Sequence, residues 1–281
     1  MHLLFTVDDQ YVPVLGTCMQ SILRFPCAQG YDLYILHAGL SAVSIQYLKK
    51  VTQSHARLHL ISIDAHSFDE FPQNARYPKT MYYRLLAAEF LPQHLERVLY
   101  LDPDIIVIRS LEALYHMPFD GQMFCGATHV QKVLTRLNGV RLQAPEDAPY
   151  LNSGVLLMNL PRMRHSIRRS DILEYIERRQ AYFTLPDQDI LSALYGKETK
   201  LLDTYRYNLS DRMLFIRNAS LQQENIDLRW VRENTVIIHY CGKNKPWKKN
   251  YHGILGCFYT EVVQSPQYLP FDASMTAIEN S

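Results

Sequence analysis

Val98-Leu99-Tyr100-Leu101-Asp102-Pro103-Asp104-Ile105-Ile106-Val107 places two carboxylates between two apolar runs. The first run, Val98 to Leu101, reads as a buried strand that carries Asp102 and Asp104 to the edge of a sheet, and Ile105 to Ile108 resumes as strand. Carboxylates with such flanks differ from ordinary loop residues, because burial penalises their charge unless something compensates it. A hard divalent cation bound through oxygen is one such compensation. Two alternatives stand beside it. Pro and Asp also favour a plain turn. A phosphatase-type D-x-D would place a nucleophilic Asp after a first strand, with Thr or Val two places beyond the second Asp; here the motif comes late and Ile106 holds that place.

On either side of this stretch, apolar runs and helical periodicities alternate. Leu3 to Val7 reads as a strand ending in Asp8-Asp9, and Tyr11 to Phe25 as a helix with Pro13 in its first turn. Asp32 to His37 follows as strand, Ser41 to Thr52 as a helix capped by Ser41, Arg57 to Ile63 as strand and Thr80 to Phe90 as helix. Beyond the carboxylates, Gly154 to Leu160 reads as a buried strand, Ser170 to Arg179 and Asp187 to Tyr195 as helices, and Thr235 to His239 as a last strand. This alternation predicts an α/β fold, a mostly parallel sheet flanked by helices, with its ligand at the strands' carboxyl ends. One domain over residues 1–264 is expected, followed by an extension or tail from Ser265 to Ser281.

Composition narrows the classes. At 281 residues the chain can bury a sizeable core without staples. Its 29 Lys and Arg nearly balance 28 Asp and Glu, which is not the charge footprint of a nucleic-acid binder. Cys18, Cys27, Cys125, Cys241 and Cys257 are widely spaced and lack a C-x-x-C, so they read as reduced thiols. No basic region precedes the short apolar run at the N-terminus, and no stretch has transmembrane length, so a cytoplasmic protein is expected. Asn208-Leu209-Ser210 and Asn218-Ala219-Ser220 match the glycosylation sequon, a pattern short enough to arise by chance.

The last strand runs into His239-Tyr240-Cys241-Gly242-Lys243-Asn244-Lys245-Pro246-Trp247. An imidazole can complete a metal shell begun by carboxylates, Gly242 permits close backbone approach, and Lys245 can pair with phosphate. A lone histidine more often packs in a core or caps an element. Six blocks in a set order now carry a resemblance: Thr6-Val7-Asp8-Asp9 with Tyr11, Arg84 on its helix, Asp102-Pro103-Asp104, Asn152-Ser153-Gly154-Val155, Asp187-Gln188-Asp189, and His239 to Trp247. Over nearly its whole length the chain resembles family 8 of the retaining glycosyltransferases, which includes bacterial lipopolysaccharide galactosyl- and glucosyltransferases and glycogenin.

That resemblance implies a GT-A fold, a UDP-sugar donor, and Mn²⁺, or Mg²⁺ in its place, on Asp102, Asp104 and His239. It further implies that Asp8 hydrogen-bonds the uracil, Tyr11 stacks on it, backbone near Thr6 meets the ribose, and Asp104, Gly242 and Lys245 serve the nucleotide. Arg84, Asp102, Asn152, Asp187 and Gln188 are then expected around the hexose, with Asp187 and Gln188 at the reacting carbon. An amide is a poor nucleophile, which favours front-face displacement over a covalent Gln188 intermediate. Each role has a structural counterpart. Asp9 could cap the next helix, Arg84 could tie down a sheet-edge carboxylate, and Asp187 could cap the helix it opens.

The expected acceptor is a glycan or lipid-linked saccharide, near Arg76-Tyr77-Pro78-Lys79-Thr80. Arg162, Arg164, His165, Arg168 and Arg169 form either a solvated helix face or a peripheral contact with an anionic membrane. A catalytically silent UDP-sugar-binding protein is the rival from another class.

Overall fold

A computed structural model describes residues 1–53, 55–72, 78–130, 132–220 and 224–272. Among these residues seven strands build the main sheet: β1 (His2–Thr6), β2 (Tyr31–His37), β3 (Ala56–Ser62), β4 (Arg97–Leu101), β6 (Phe124–Ala127), β7 (Asn152–Asn159) and β8 (Thr199–Leu201). A separate pair joins β5 (Ile105–Val107) to β9 (Ile237–His239). The order in the main sheet is β3-β2-β1-β4-β7-β6-β8, and β3, β2, β1 and β4 run parallel.

Side chains alternate across this sheet as the period of two requires. Leu4, Val98, Tyr100, Leu156 and Met158 enter one apolar core, while Leu3, Phe5, Leu99, Leu101, Val155 and Leu157 enter the core on the opposite face. The expected mixed, mostly parallel α/β sheet is therefore present. The helices Val12–Leu23 and Ala42–Thr52 follow β1 and β2, the second capped by Ser41 Oγ, which accepts from Ser44 N.

The exception to the parallel run matters most for function. Antiparallel β7 starts at the edge where β4 ends, and Asp102 N donates to Gly154 O at 2.8 Å. Reversing that one strand puts Asn152, Ser153 and Gly154 beside the two carboxylates. One expectation holds with a difference in partner and one fails. Ile105–Val107 is a strand, as expected, but not of the main sheet. After Pro103-Asp104 the chain leaves that sheet, and Ile105 pairs with His239 of β9. Thr80 to Phe90, by contrast, is not one helix. A 3₁₀ turn, Lys79–Tyr82, and a short helix, Ala87–Phe90, bracket tight turns. Residues 82–88 are all buried, so the segment has no solvent face for a regular amphipathic helix to present. Arg84 consequently lies in a turn, its Nε donating to Met81 O at 3.0 Å.

From Ser265 the chain turns back over the first helix. Leu269 N donates to Gln20 Oε1 at 2.6 Å, Tyr47 OH donates to Leu269 O at 3.1 Å, and the Phe271 ring meets Tyr47 edge-on. Residues 273–281 lie outside the described residues. The basic cluster is largely committed to the fold. Arg162 pairs with Glu198, Arg169 with Glu89, and Arg164 donates to the carbonyls of Ala88, Pro92, Gln93 and Leu95. No helix among the described residues is long and apolar enough to cross a membrane. All five cysteines are free thiols.

Candidate active site

A cavity of about 560 Å³ opens at the carboxyl ends of β1 and β4, lined among others by Thr6, Asp8, Tyr11, Arg84, Asp102, Asp104, Asn152, Asp187, Gln188, His239, Gly242 and Lys245. The six separated blocks of sequence thus converge on one space. Arg76 and Tyr77 of the expected acceptor segment lie outside the described residues, whereas Pro78 and Thr80 line the cavity.

At its floor, each carboxylate has one oxygen bound to the protein and the other turned to His239. Asp102 Oδ1 accepts from Tyr100 OH at 2.6 Å and pairs with Arg84 Nη1 at 2.8 Å, while its Oδ2 lies 3.7 Å from His239 Nε2. Asp104 Oδ2 pairs with Lys245 Nζ, and its Oδ1 lies 3.2 Å from His239 Nε2. That Oδ1 is buried and accepts no hydrogen bond. One ligand atom from each of Asp102, Asp104 and His239 falls within 4.8 Å of the others. Gly154 forms the wall behind them: a Cβ there would stand 2.2 Å from His239 Cε1 and 2.6 Å from Asp102 Oδ2.

Burial opposes the charge on Asp104, but His239, when its ring is protonated, and Lys245 outweigh it and hold the carboxyl below the usual carboxylate range. Burial likewise raises Asp187, against the attraction of Arg84 and the Ser153 hydroxyl, which donates to Asp187 Oδ2 at 2.6 Å. Arg84 lies between Asp102 and Asp187, 3.5 Å from the latter, with its guanidinium 4.5 Å over the Tyr100 ring. It is the structural partner of a sheet-edge carboxylate and also faces the cavity.

A chain of amides extends from the histidine. His239 Nδ1 meets Asn208 Oδ1 at 2.8 Å, Asn208 Nδ2 donates to Asn152 Oδ1 at 2.9 Å, and Asn152 Nδ2 donates to Gln188 Oε1 at 3.2 Å. If Asn208 Oδ1 accepts, His239 Nδ1 carries the proton and Nε2 can offer its lone pair toward the carboxylates. Behind Asn208, His129 Nε2 donates to the Asn208 carbonyl at 2.6 Å, and burial pushes the His129 imidazole down to about 3, which keeps it neutral.

Asn208 is fully buried, yet in the sequence it stood out only within a chance sequon. Ser153 and Tyr100 were missed as well. Alternation along β4 could have placed Tyr100 on the face opposite Leu101, but nothing in the sequence aligned its hydroxyl with Asp102.

Helix capping divides differently from expectation. Asp187 sits within the first turn of the helix Pro186–Tyr195, and it is fully buried Asp189 that accepts from Thr184 N and Leu185 N. Asp9 Oδ1 accepts from Ser41 N and Oγ, linking the starts of the first two helices. Asp8 caps a 3₁₀ turn through Tyr11 N at 3.1 Å and also lines the cavity.

A model of glycosyl transferase family 8 matches residues 2–251. The chain belongs to that family. A lipopolysaccharide 1,2-glucosyltransferase from Escherichia coli is 28% identical to this family 8 chain over 251 residues, 86% of the chain and 71% of the relative. General stress protein A of Bacillus subtilis (strain 168) is 22% identical over 89% of the chain and 88% of its own length. Among solved structures, the galactosyltransferase LgtC in complex with donor and acceptor sugar analogs superposes with a TM-score of 0.80 at 24% identity, covering 96% of this chain and 98% of that one. The fold is accordingly GT-A, as the family 8 resemblance implied.

Proposed function

We propose that this family 8 chain transfers galactose or glucose from a UDP-sugar to a glycan hydroxyl, with retention at the anomeric carbon and dependence on Mn²⁺, Mg²⁺ being the substitute. The observation that carries the reading is the triplet of Asp102 Oδ2, Asp104 Oδ1 and His239 Nε2 at the cavity floor, with the buried Asp104 oxygen unbonded. Two carboxylates and an imidazole suit Mn²⁺, and the outer contacts of all three ligands are already made. Held by these residues, the ion would offset the negative charge that builds on the diphosphate as the sugar leaves.

The chain's own groups supply the rest. Lys245, fixed by Asp104 and by Tyr240 O at 2.8 Å, is a second positive charge beside the phosphates. At the outer end Tyr11, 40% exposed, offers a ring face for the uracil, with Asp8 to accept from its imide N–H and Thr6 near the ribose. Arg84, Asn152 and Asp187, which line the cavity, would hydrogen-bond hexose hydroxyls, and Gln188 would offer its carbonyl dipole to the anomeric carbon. In front-face displacement the bond from that carbon to the phosphate oxygen breaks as the bond to the acceptor oxygen forms. The acceptor's proton passes to the departing phosphate oxygen, and Gln188 stays uncharged and unmodified. A glycosyl adduct on Gln188 in the native chain would refute this route.

The test is release of UDP from a panel of UDP-sugars with Mn²⁺, with and without chelator and mixed glycan acceptors. Slow, chelator-sensitive hydrolysis of one sugar, accelerated by acceptor, is expected. Binding of a UDP-sugar with no UDP release under any condition would instead make the chain a binding protein.

A further inference from the structure

The helix Lys132–Leu142 is inside out. Its inward face holds Leu142, which is buried, with half-buried Thr135, Asn138 and Gly139, while Leu134, Leu137 and Val140 point outward and are 41, 61 and 77% exposed. Residues 132–142 include Lys132, Arg136 and Arg141 and no acid; Arg136 is exposed, whereas Arg141 is turned inward to Asp189 and is not one of the cations offered to a partner. At the helix's carboxyl end Tyr182 is also exposed; its carbonyl accepts from Arg141 Nη1, and the Arg179 guanidinium lies 4.2 Å over its ring. Isolated apolar side chains on a surface need no explanation, but three on one helical face, flanked by cations and an aromatic ring, do.

We infer that this face is a docking surface for an anionic lipid bilayer. An apolar stripe with basic flanks and an interfacial tyrosine matches a helix lying in the headgroup plane, where side chains partition into the acyl boundary and cations meet the lipid charge. A second copy of the chain fits less well. Three partly exposed side chains offer on the order of 300 Å², against about 800 Å² per partner in a stable interface. Weak, reversible membrane contact needs no such area. The helix is also tied to the cavity, because Arg141 Nη2 and Nη1 hold Asp189 at 2.7 and 3.1 Å, and Asp189 follows Gln188. Contact through this face would keep the cavity in a set position relative to the lipid, whatever the site catalyses.

The test is flotation of the full chain with phosphatidylcholine vesicles, with and without phosphatidylglycerol, comparing the native protein with Leu137→Gln/Val140→Gln and with Arg136→Glu. Native protein is expected to float only with the anionic vesicles. The double variant should bind about tenfold more weakly, and Arg136→Glu should lose part of the binding, more visibly at low salt. UDP release in solution should be unchanged in both. Failure of the native chain to bind, equal binding to both vesicle types, or full binding by the double variant would each overturn the assignment. So would a native dimer that the double variant dissociates, which would make the face a self-interface.

Discussion

The inner and outer ends of the cavity are built on different principles. At the inner end Asp102, Asp104, His239, Asn152 and Asp187 each contact at least one side chain of known partner, and most are buried. At the outer end Tyr11 is 40% exposed, and Lys243 carries no ion pair among the described residues. The inner end is organised before any ligand arrives, which is where preorganised charge stabilises a developing charge at least cost in reorganisation. The outer end can adjust to its ligand. In the proposed reaction, inner residues should therefore govern turnover and metal affinity, and outer residues should govern donor affinity.

Substitutions at the two ends should differ in kind and in size. Asp104→Ala removes a metal ligand and leaves Lys245 buried without its carboxylate, so UDP release should fall on the order of 10³-fold, with a lowered Tm. Activity within tenfold of native would sink the metal-site assignment. Gly154→Ala drives a Cβ to 2.2 Å from His239 Cε1. Displacing the ring should weaken Mn²⁺ binding, measured by titration of tryptophan fluorescence, by about 100-fold, the upper range for disturbing a ligand's support.

Asn208→Ala removes the acceptor from His239 Nδ1 and the donor to Asn152 together. Mn²⁺ affinity should fall about tenfold, and kcat should fall in addition because Asn152 and Gln188 lose their alignment. Asn208→Asp, which keeps the acceptor but not the donor, should restore metal affinity more than kcat; parallel recovery of both would show that the amide chain does not reach Gln188. At the outer end, Tyr11→Ala should raise KM for the donor about tenfold, the loss of one stacking contact, and leave kcat nearly unchanged. A drop confined to kcat would erase the distinction between the two ends. Asp9→Ala should have the smallest effect, a modest drop in Tm through its lost bonds to Ser41 with no change in donor affinity.

The strands were legible because their apolar runs have a period that a half-buried or fully buried sheet demands. β1, β2, β3, β4 and β7 fall within two residues of the expected spans. β6 and β8 were not anticipated: Phe124–Ala127 and Thr199–Leu201 are too short to register a period. The segment from Thr80 to Phe90 misled because helical spacing of apolar residues is also what a fully buried, tightly turned segment shows. In the site, Asp102, Asp104 and His239 could be singled out because carboxylates and an imidazole at strand ends are costly without a purpose. Asn208 could not, since a neutral amide has no such signature and its role depends on residues from three other parts of the chain.

By itself, then, the sequence determined the alternating α/β class, the family 8 resemblance and the identity of the charged groups, all properties of local pattern and residue type. It took the tertiary fold to decide which oxygen of each carboxylate is free, that Arg84 sits in a turn between two acids, that Asn208 joins His239 to Asn152, and that one helix turns Leu134, Leu137 and Val140 outward. The physical reason is common to all four: hydrogen-bond direction and burial depend on atoms brought together from distant segments, by a strand reversal at β7 and a departure from the sheet at β5 that no local period encodes.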